Sequence, residues 1–125
     1  MVDGLVIVDK EPGWTSHDVV AKLRSVYGQK RVGHAGTLDP DATGVLLVGL
    51  GRVTRLMRFL QAGKKVYRST IQFGVATNTL DAAGEVTGEV AMTFTRSDLE
   101  AALPQFVGDI KQIPPMVSAV KIDGK

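Results

Sequence analysis

The stretch from Arg31 to Gly44 constrains this chain more than any other. It holds Gly33, Gly36 and Gly44, together with Pro40, His34, Asp39 and Asp41. No helical or alternating hydrophobic period runs through it, so it reads as a long loop. Apolar runs flank it, Leu5 to Val8 upstream and Val45 to Leu50 downstream. Runs of that length predict strands, and a loop carried on strands is where reactive groups are usually presented.

The rest of the chain divides at its punctuation. Pro12-Gly13 marks a turn, and Thr15 with Asp18 reads as a capping box opening a helix. Val19, Val20, Leu23, Val26 and Tyr27 recur at helical spacing, and Gly28 stops them. After Gly51, a helix is predicted from Val53 to Ala62, with Val53, Leu56, Met57 and Leu60 inward. Lys65 to Val75 alternates like a strand, with Tyr67, Ser69, Ile71 and Phe73 on one face. Ala82 to Gly88 is turn-rich, and a short strand is expected near Val90 to Phe94. Ser97 with Glu100 predicts a second capping box, with Leu99, Leu103 and Phe106 inside its helix. Ile110 to Ile113 and Val117 to Ile122 read as strands, and Asp123-Gly124 as a hairpin turn. Together these elements predict an α+β fold with a mixed, largely antiparallel sheet and flanking helices.

Composition excludes several classes. The chain has 125 residues and no cysteine, so disulfides and thiol chemistry are absent from it. No apolar run approaches the roughly 18 residues of a membrane span, and no signal peptide is visible, so a cytoplasmic protein is expected. Net charge is only +2, but it is polarised. Lys22 to Arg68 holds ten basic residues against Asp39 and Asp41, whereas Leu80 to Asp109 holds six acids against Arg96. Such a chain either shows a basic face to a polyanion or simply solvates its helices. Arg52, Arg55 and Arg58, three residues apart, fall on one side of the predicted helix, with Lys64 and Lys65 beyond it.

Within the loop, Asp39 has two readings. A carboxylate on a glycine-rich loop can be a nucleophile or general base. An Asp-Pro pair can also be a turn whose aspartate bonds its own backbone. Named motifs do not fit. Gly28 to Gly33 has phosphate-loop spacing, but His34 and Ala35 stand where lysine and a hydroxyl are needed. Asp39-x-Asp41-x-Thr43 is like the aspartate motif of haloacid-dehalogenase-type phosphotransferases, but it does not follow directly on a strand. His34, Asp39 and Asp41 have no recognised metal-ligand spacing, so no metal is expected.

Gly33-His34-Ala35-Gly36-Thr37-Leu38-Asp39-Pro40, followed by Ala42-Thr43-Gly44-Val45-Leu46, resembles the catalytic motif of bacterial tRNA pseudouridine-55 synthases of the TruB type. Asp9-Lys10, Gly13 and Thr15-Ser16 are similar to that family's N-terminal signature, and Lys65-Val66-Tyr67 to its Lys-x-Tyr motif. Gly74, Thr77, Thr79, Asp81, Gly84 and Glu85 match a third stretch. Gln112-x-Pro114-Pro115 and Ser118-Ala119-x-Lys121 match a fourth. Glu11 and Val117 depart from the pattern, standing where proline and tyrosine are usual.

The resemblance implies a pseudouridine synthase catalytic fold and conversion of the tRNA T-arm uridine to pseudouridine, an isomerisation without cofactor or metal. It implies that Asp39 is the essential carboxylate. By the same resemblance Tyr67 would stack on the flipped base, although its place on an alternating strand also reads as a core tyrosine; His34 would fill the space the base leaves, and Gly36 and Thr37 would bind substrate. Arg52, Arg55, Arg58, Lys64 and Lys65 are its candidates for phosphate contacts. It further implies that residues 1–125 are the N-terminal portion of the catalytic domain of a monomeric enzyme. The family's remaining active-site tyrosine and arginine, and a C-terminal RNA-binding domain, would lie beyond them. The rival expectations are a tRNA-binding module that does no chemistry and a magnesium-dependent aspartyl phosphotransferase.

Overall fold

The structure is a computed structural model that describes residues 1–115. It contains two compact units, Met1–Tyr67 and Arg68–Lys125.

The first unit is built on three strands, β1 (Gly4–Lys10), β2 (Val32–Ala35) and β3 (Gly44–Leu50), in the order β1-β3-β2. Both pairings are antiparallel, with Val6 opposite Val48 and His34 also opposite Val48 from the other side. Helix α1 (Ser16–Tyr27) covers one face. Its Val19 and Val20 join Val32, Leu46, Val48 and Leu50 in the buried core, and Val6, Val8, Leu23 and Leu38 pack around them. The capping box is present as predicted. Thr15 accepts from the Asp18 N–H, the Asp18 carboxylate accepts from the Thr15 N–H, and Gly28 ends the helix in the left-handed region at φ 58°.

Three expectations change here. The predicted loop from Arg31 is a strand as far as Ala35, because pairing with β3 supplies the ladder that four residues cannot signal by period. The predicted helix from Val53 to Ala62 begins instead as a 3-10 turn (Gly51–Leu56), and only Met57–Gln61 (α2) is α-helical. No side chain at Leu50 caps it; the first free N–H goes to Asp3, whose carboxylate accepts from Arg52 N at 2.6 Å. Of the predicted inward face only Met57 is buried; it sits over Gly49, where a Cβ would come within 3.0 Å of its Cε. Val26 is 63% exposed, so the apolar face of α1 ends at Leu23.

The second unit holds a hairpin of β4 (Val75–Thr77) and β5 (Val86–Glu89), and helix α3 (Arg96–Ala102) followed by a 3-10 turn at Leu103–Phe106. None of its described residues is buried. The strand predicted from Lys65 begins only at Val75, and the one expected near Val90 lies earlier, at Val86–Glu89. Alternation shows which residues would share a face, but a strand also needs a partner, and residues 65–74 have none among the described residues. The capping box of α3 is Thr95 with Asp98, not Ser97 with Glu100. The same pattern occurs twice, two residues apart, so sequence alone does not select the register. Glu100 pairs with Arg96 at 2.7 Å. Leu103 and Phe106, expected inside, are exposed, and residues 110–113 form no strand. The expectations for Val117 to Ile122 and Asp123-Gly124 lie outside the described residues.

Gly74 has φ 88°, and a Cβ there would lie 2.6 Å from the Val90 carbonyl oxygen. The Val90 N–H also donates to Gly74 O at 2.8 Å. Gly74→Ala is therefore expected to weaken the hairpin by about 2 kcal/mol, read as faster amide exchange at Asn78 and Val90. Unchanged exchange would show that the hairpin does not depend on this approach.

Four aspartates are held below the ordinary carboxylate value of 3.8. Asp3 is held there first by the Arg52 N–H and then by its guanidinium, and Asp18 by Thr15. Asp81 is held by the Thr79 hydroxyl and then the Ala83 N–H, and Asp98 by Thr95. A depressed folded value stabilises the folded chain above the unfolded value and is lost as pH falls through the folded one. Asp3→Asn is therefore expected to be less stable than the parent at pH 7. The difference should shrink to nothing in acid, as followed by circular dichroism. A difference that persists at about pH 2 would mean that the carboxylate charge is not what matters.

Candidate active site

The loop between β2 and β3 is pinned on both sides of Asp39. Before it, Leu38 packs its side chain against the core. Its N–H donates to Ser16 Oγ at 2.9 Å, and Ser16 Oγ donates back to Leu38 O at 3.4 Å. After it, the Pro40 carbonyl accepts from Gly13 N at 2.8 Å and from Lys10 Nζ at 3.0 Å. The loop then turns over Pro40 and Asp41, closed by the Ala42 N–H donating to Asp39 O at 3.0 Å. This turn uses the Asp39 carbonyl. The carboxylate accepts no hydrogen bond among the described residues, and Asp39 is exposed. The self-bonded reading of Asp39 therefore does not hold. Thr37 and Asp39 are exposed on either side of half-buried Leu38, the alternation of extended chain.

In sequence Lys10 is only part of a signature; its role comes from packing. It ends β1 on the same face as Val6 and Val8 and is 1% exposed. Its Nζ donates to the carbonyls of Glu11 at 3.0 Å, Trp14 at 2.6 Å and Pro40 at 3.0 Å. All three ammonium donors are thus matched, which is what makes burial of the group tolerable. Periodicity could not find this residue, because a lysine on an inward strand position reads as an exception.

Other predicted residues fall in place around the loop. His34 lies on β2, and its Nδ1 donates to the Gly36 carbonyl. A carbonyl only accepts, so the ring carries a proton on Nδ1. Gly36 has φ 89°, and Lys65 lies beside it, its Nζ 3.6 Å from where a Gly36 Cβ would stand. Lys65 thus brings a positive charge to the loop. Tyr67 is 64% exposed, which removes the reading of it as a core tyrosine.

The arginines do not behave as one set. Arg52 Nε is paired with Asp3 at 2.6 Å. Arg58 lies over the Phe59 ring at 4.7 Å, and Arg55, Lys64 and Lys65 are exposed with no ion pair among the described residues. Among the described residues no group of three or more His, Asp or Glu could hold a metal ion, and no helix is long and apolar enough to cross a membrane.

The first unit thus presents an exposed aspartate on a doubly anchored glycine-rich loop carried by a small antiparallel sheet. A solved Cbf5-Nop10-Gar1 complex contains a chain similar over 94% of this one and 31% of its own length, at TM-score 0.60 and 29% identity. The profile of the TruB family pseudouridylate synthases (N terminal domain) matches residues 24–125, and the chain belongs to that family. It is 52% identical over 126 residues to a tRNA pseudouridine synthase B of Thermobifida fusca (strain YX), covering 100% of this chain and 43% of that one. It is 48% identical over 126 residues to a tRNA pseudouridine synthase B of Lactococcus lactis subsp. lactis (strain IL1403), covering 99% and 38%. The chain thus spans about two-fifths of the length of these relatives.

Proposed function

We propose that this chain is the Asp39-bearing part of the catalytic domain of a tRNA pseudouridine synthase that isomerises the T-arm uridine at position 55. The observation that carries the reading is the free Asp39 carboxylate on a loop fixed at Leu38 and at Pro40. In the reaction the bond from ribose C1′ to N1 breaks and one to C5 forms. N1 gains a proton and C5 loses one. Nothing is oxidised or transferred, so the proposed enzyme needs no metal or cofactor. A carboxylate beside the cleaving bond stabilises positive charge or traps it.

The uridine must leave its stack to reach Asp39. In the proposed complex it stacks on Tyr67, an interaction worth roughly 1–3 kcal/mol, and His34 fills the space it leaves. Gly36 and Thr37 let the loop backbone approach the base. Arg55, Arg58, Lys64 and Lys65 contact phosphates, and Arg52, whose Nε pairs with Asp3, leaves the rest of its exposed guanidinium as a fifth candidate. The enzyme works as a monomer in the cytoplasm.

The test is tritium release from tRNA labelled at uridine C5, using the protein carrying this chain at the full length of its relatives. Release with one pseudouridine formed per tRNA supports the reading. RNA binding without release would favour a tRNA-binding module, and release abolished by chelator would favour metal chemistry. Affinity should also fall with salt, with a log–log slope of about −3 for four phosphate contacts. A slope near zero would remove the basic residues from the interface.

A further inference from the structure

We propose that Ser16 is a positioning residue for the catalytic loop, fixing the direction in which Asp39 projects without itself touching substrate. The proposal rests on the reading of Asp39 as the catalytic carboxylate. Ser16 is the first residue of α1, where a serine ordinarily faces water and helps cap the helix. Here Thr15 and Asp18 already do the capping. Ser16 is instead 2% exposed, and its hydroxyl reaches across 22 residues to the Leu38 backbone.

The two contacts act on different peptide planes. The Leu38 N–H belongs to the peptide joining Thr37 to Leu38, and the Leu38 carbonyl to the peptide joining Leu38 to Asp39. One hydroxyl holding both fixes the backbone angles of Leu38, much as a neighbouring strand would. The stronger contact, at 2.9 Å, is the one from the N–H. Beyond Asp39 the ring of Pro40 fixes its own φ, and the Pro40 carbonyl is held by Gly13 and Lys10. Asp39 is then a short bridge between two fixed points. Removing the hydroxyl frees the upstream one, and an error of about 1 Å at a reacting group can cost a factor of roughly a hundred.

The test compares the full-length enzyme with its Ser16→Ala, Ser16→Cys and Ser16→Thr variants. Single-turnover tritium release, tRNA affinity and amide exchange are measured well below the melting temperature. Ser16→Ala is expected to lower the single-turnover rate by about 10- to 100-fold, with the tRNA Kd within about twofold of the parent. Exchange should rise at the Leu38 amide while Val20 and Val48 stay protected. Ser16→Cys, nearly isosteric but a weak hydrogen-bonding group, should fall between. Ser16→Thr, which keeps the hydroxyl, should recover most of the rate. A parental rate in Ser16→Ala, or a loss accompanied by equal opening at Val20 and Val48, would overturn the proposal. A parent enzyme that releases no tritium overturns the functional reading first, and the proposal with it.

Discussion

Asp39→Ala is expected to abolish tritium release, lowering the single-turnover rate by about three orders of magnitude or more. The tRNA Kd should stay within about twofold. The loop gives the reason for both halves of that expectation. Among the described residues the Asp39 carboxylate holds nothing else in place, since the turn closes through its carbonyl and the anchors lie at Leu38 and Pro40. Removing an exposed side chain of this kind leaves the fold and the basic surface intact, so the loss falls on chemistry. Asp39→Asn keeps the shape and removes the charge, and it should fail as completely. Turnover retained in either variant would take the catalytic role away from Asp39. A matching loss of RNA affinity would make it a binding residue.

Lys10→Met is expected to have the largest effect on stability. Methionine keeps most of the buried stem but offers no donor. The Glu11 and Trp14 carbonyls lose their bond from Nζ, and the Pro40 carbonyl keeps only the one from Gly13. Losing three part-buried hydrogen bonds from one charged donor costs about 2–4 kcal/mol, since bonds to a charged group contribute about 1.5–3 kcal/mol each and are not additive. That corresponds to a melting temperature lower by about 10 °C. Lys10→Arg should not restore it, because a planar fork does not match three carbonyls converging on one atom. The turnover of Lys10→Met should fall as well, even below its melting temperature, because Pro40 is one of the two fixed points around Asp39. A melting temperature within about 2 °C of the parent would show that the carbonyls find other donors.

Much of this was legible in the chain itself. The strands predicted at Leu5 to Val8 and Val45 to Leu50, the first capping box and the stop at Gly28 follow from signals a few residues long, and all are present. The loop declared itself by the loss of any hydrophobic period, and its resemblance to the TruB type led to the family the chain belongs to. Other signals were ambiguous in kind. Two capping patterns two residues apart were equally good by sequence, and the one in use is Thr95 with Asp98. Alternation from Lys65 to Val75 looked like a strand, but alternation cannot supply a partner. Three arginines three residues apart read as one basic row, and only the structure shows that the Nε of one of them pairs with Asp3.

What sequence determined by itself were the local choices: where helices start and stop, which runs extend, and where the glycine-rich loop sits. These depend on interactions within about four residues, which composition and spacing encode directly. What only the tertiary structure decided were the long-range bonds that turn the loop into a site. Ser16 reaches Leu38 across 22 residues, Lys10 reaches Pro40 across 30, and Asp3 caps the turn at Arg52 across 49. No local preference records such pairs. The first two exist because packing against the sheet buries Ser16 and Lys10 near the loop, and a buried polar group must find its partner wherever the fold has placed one.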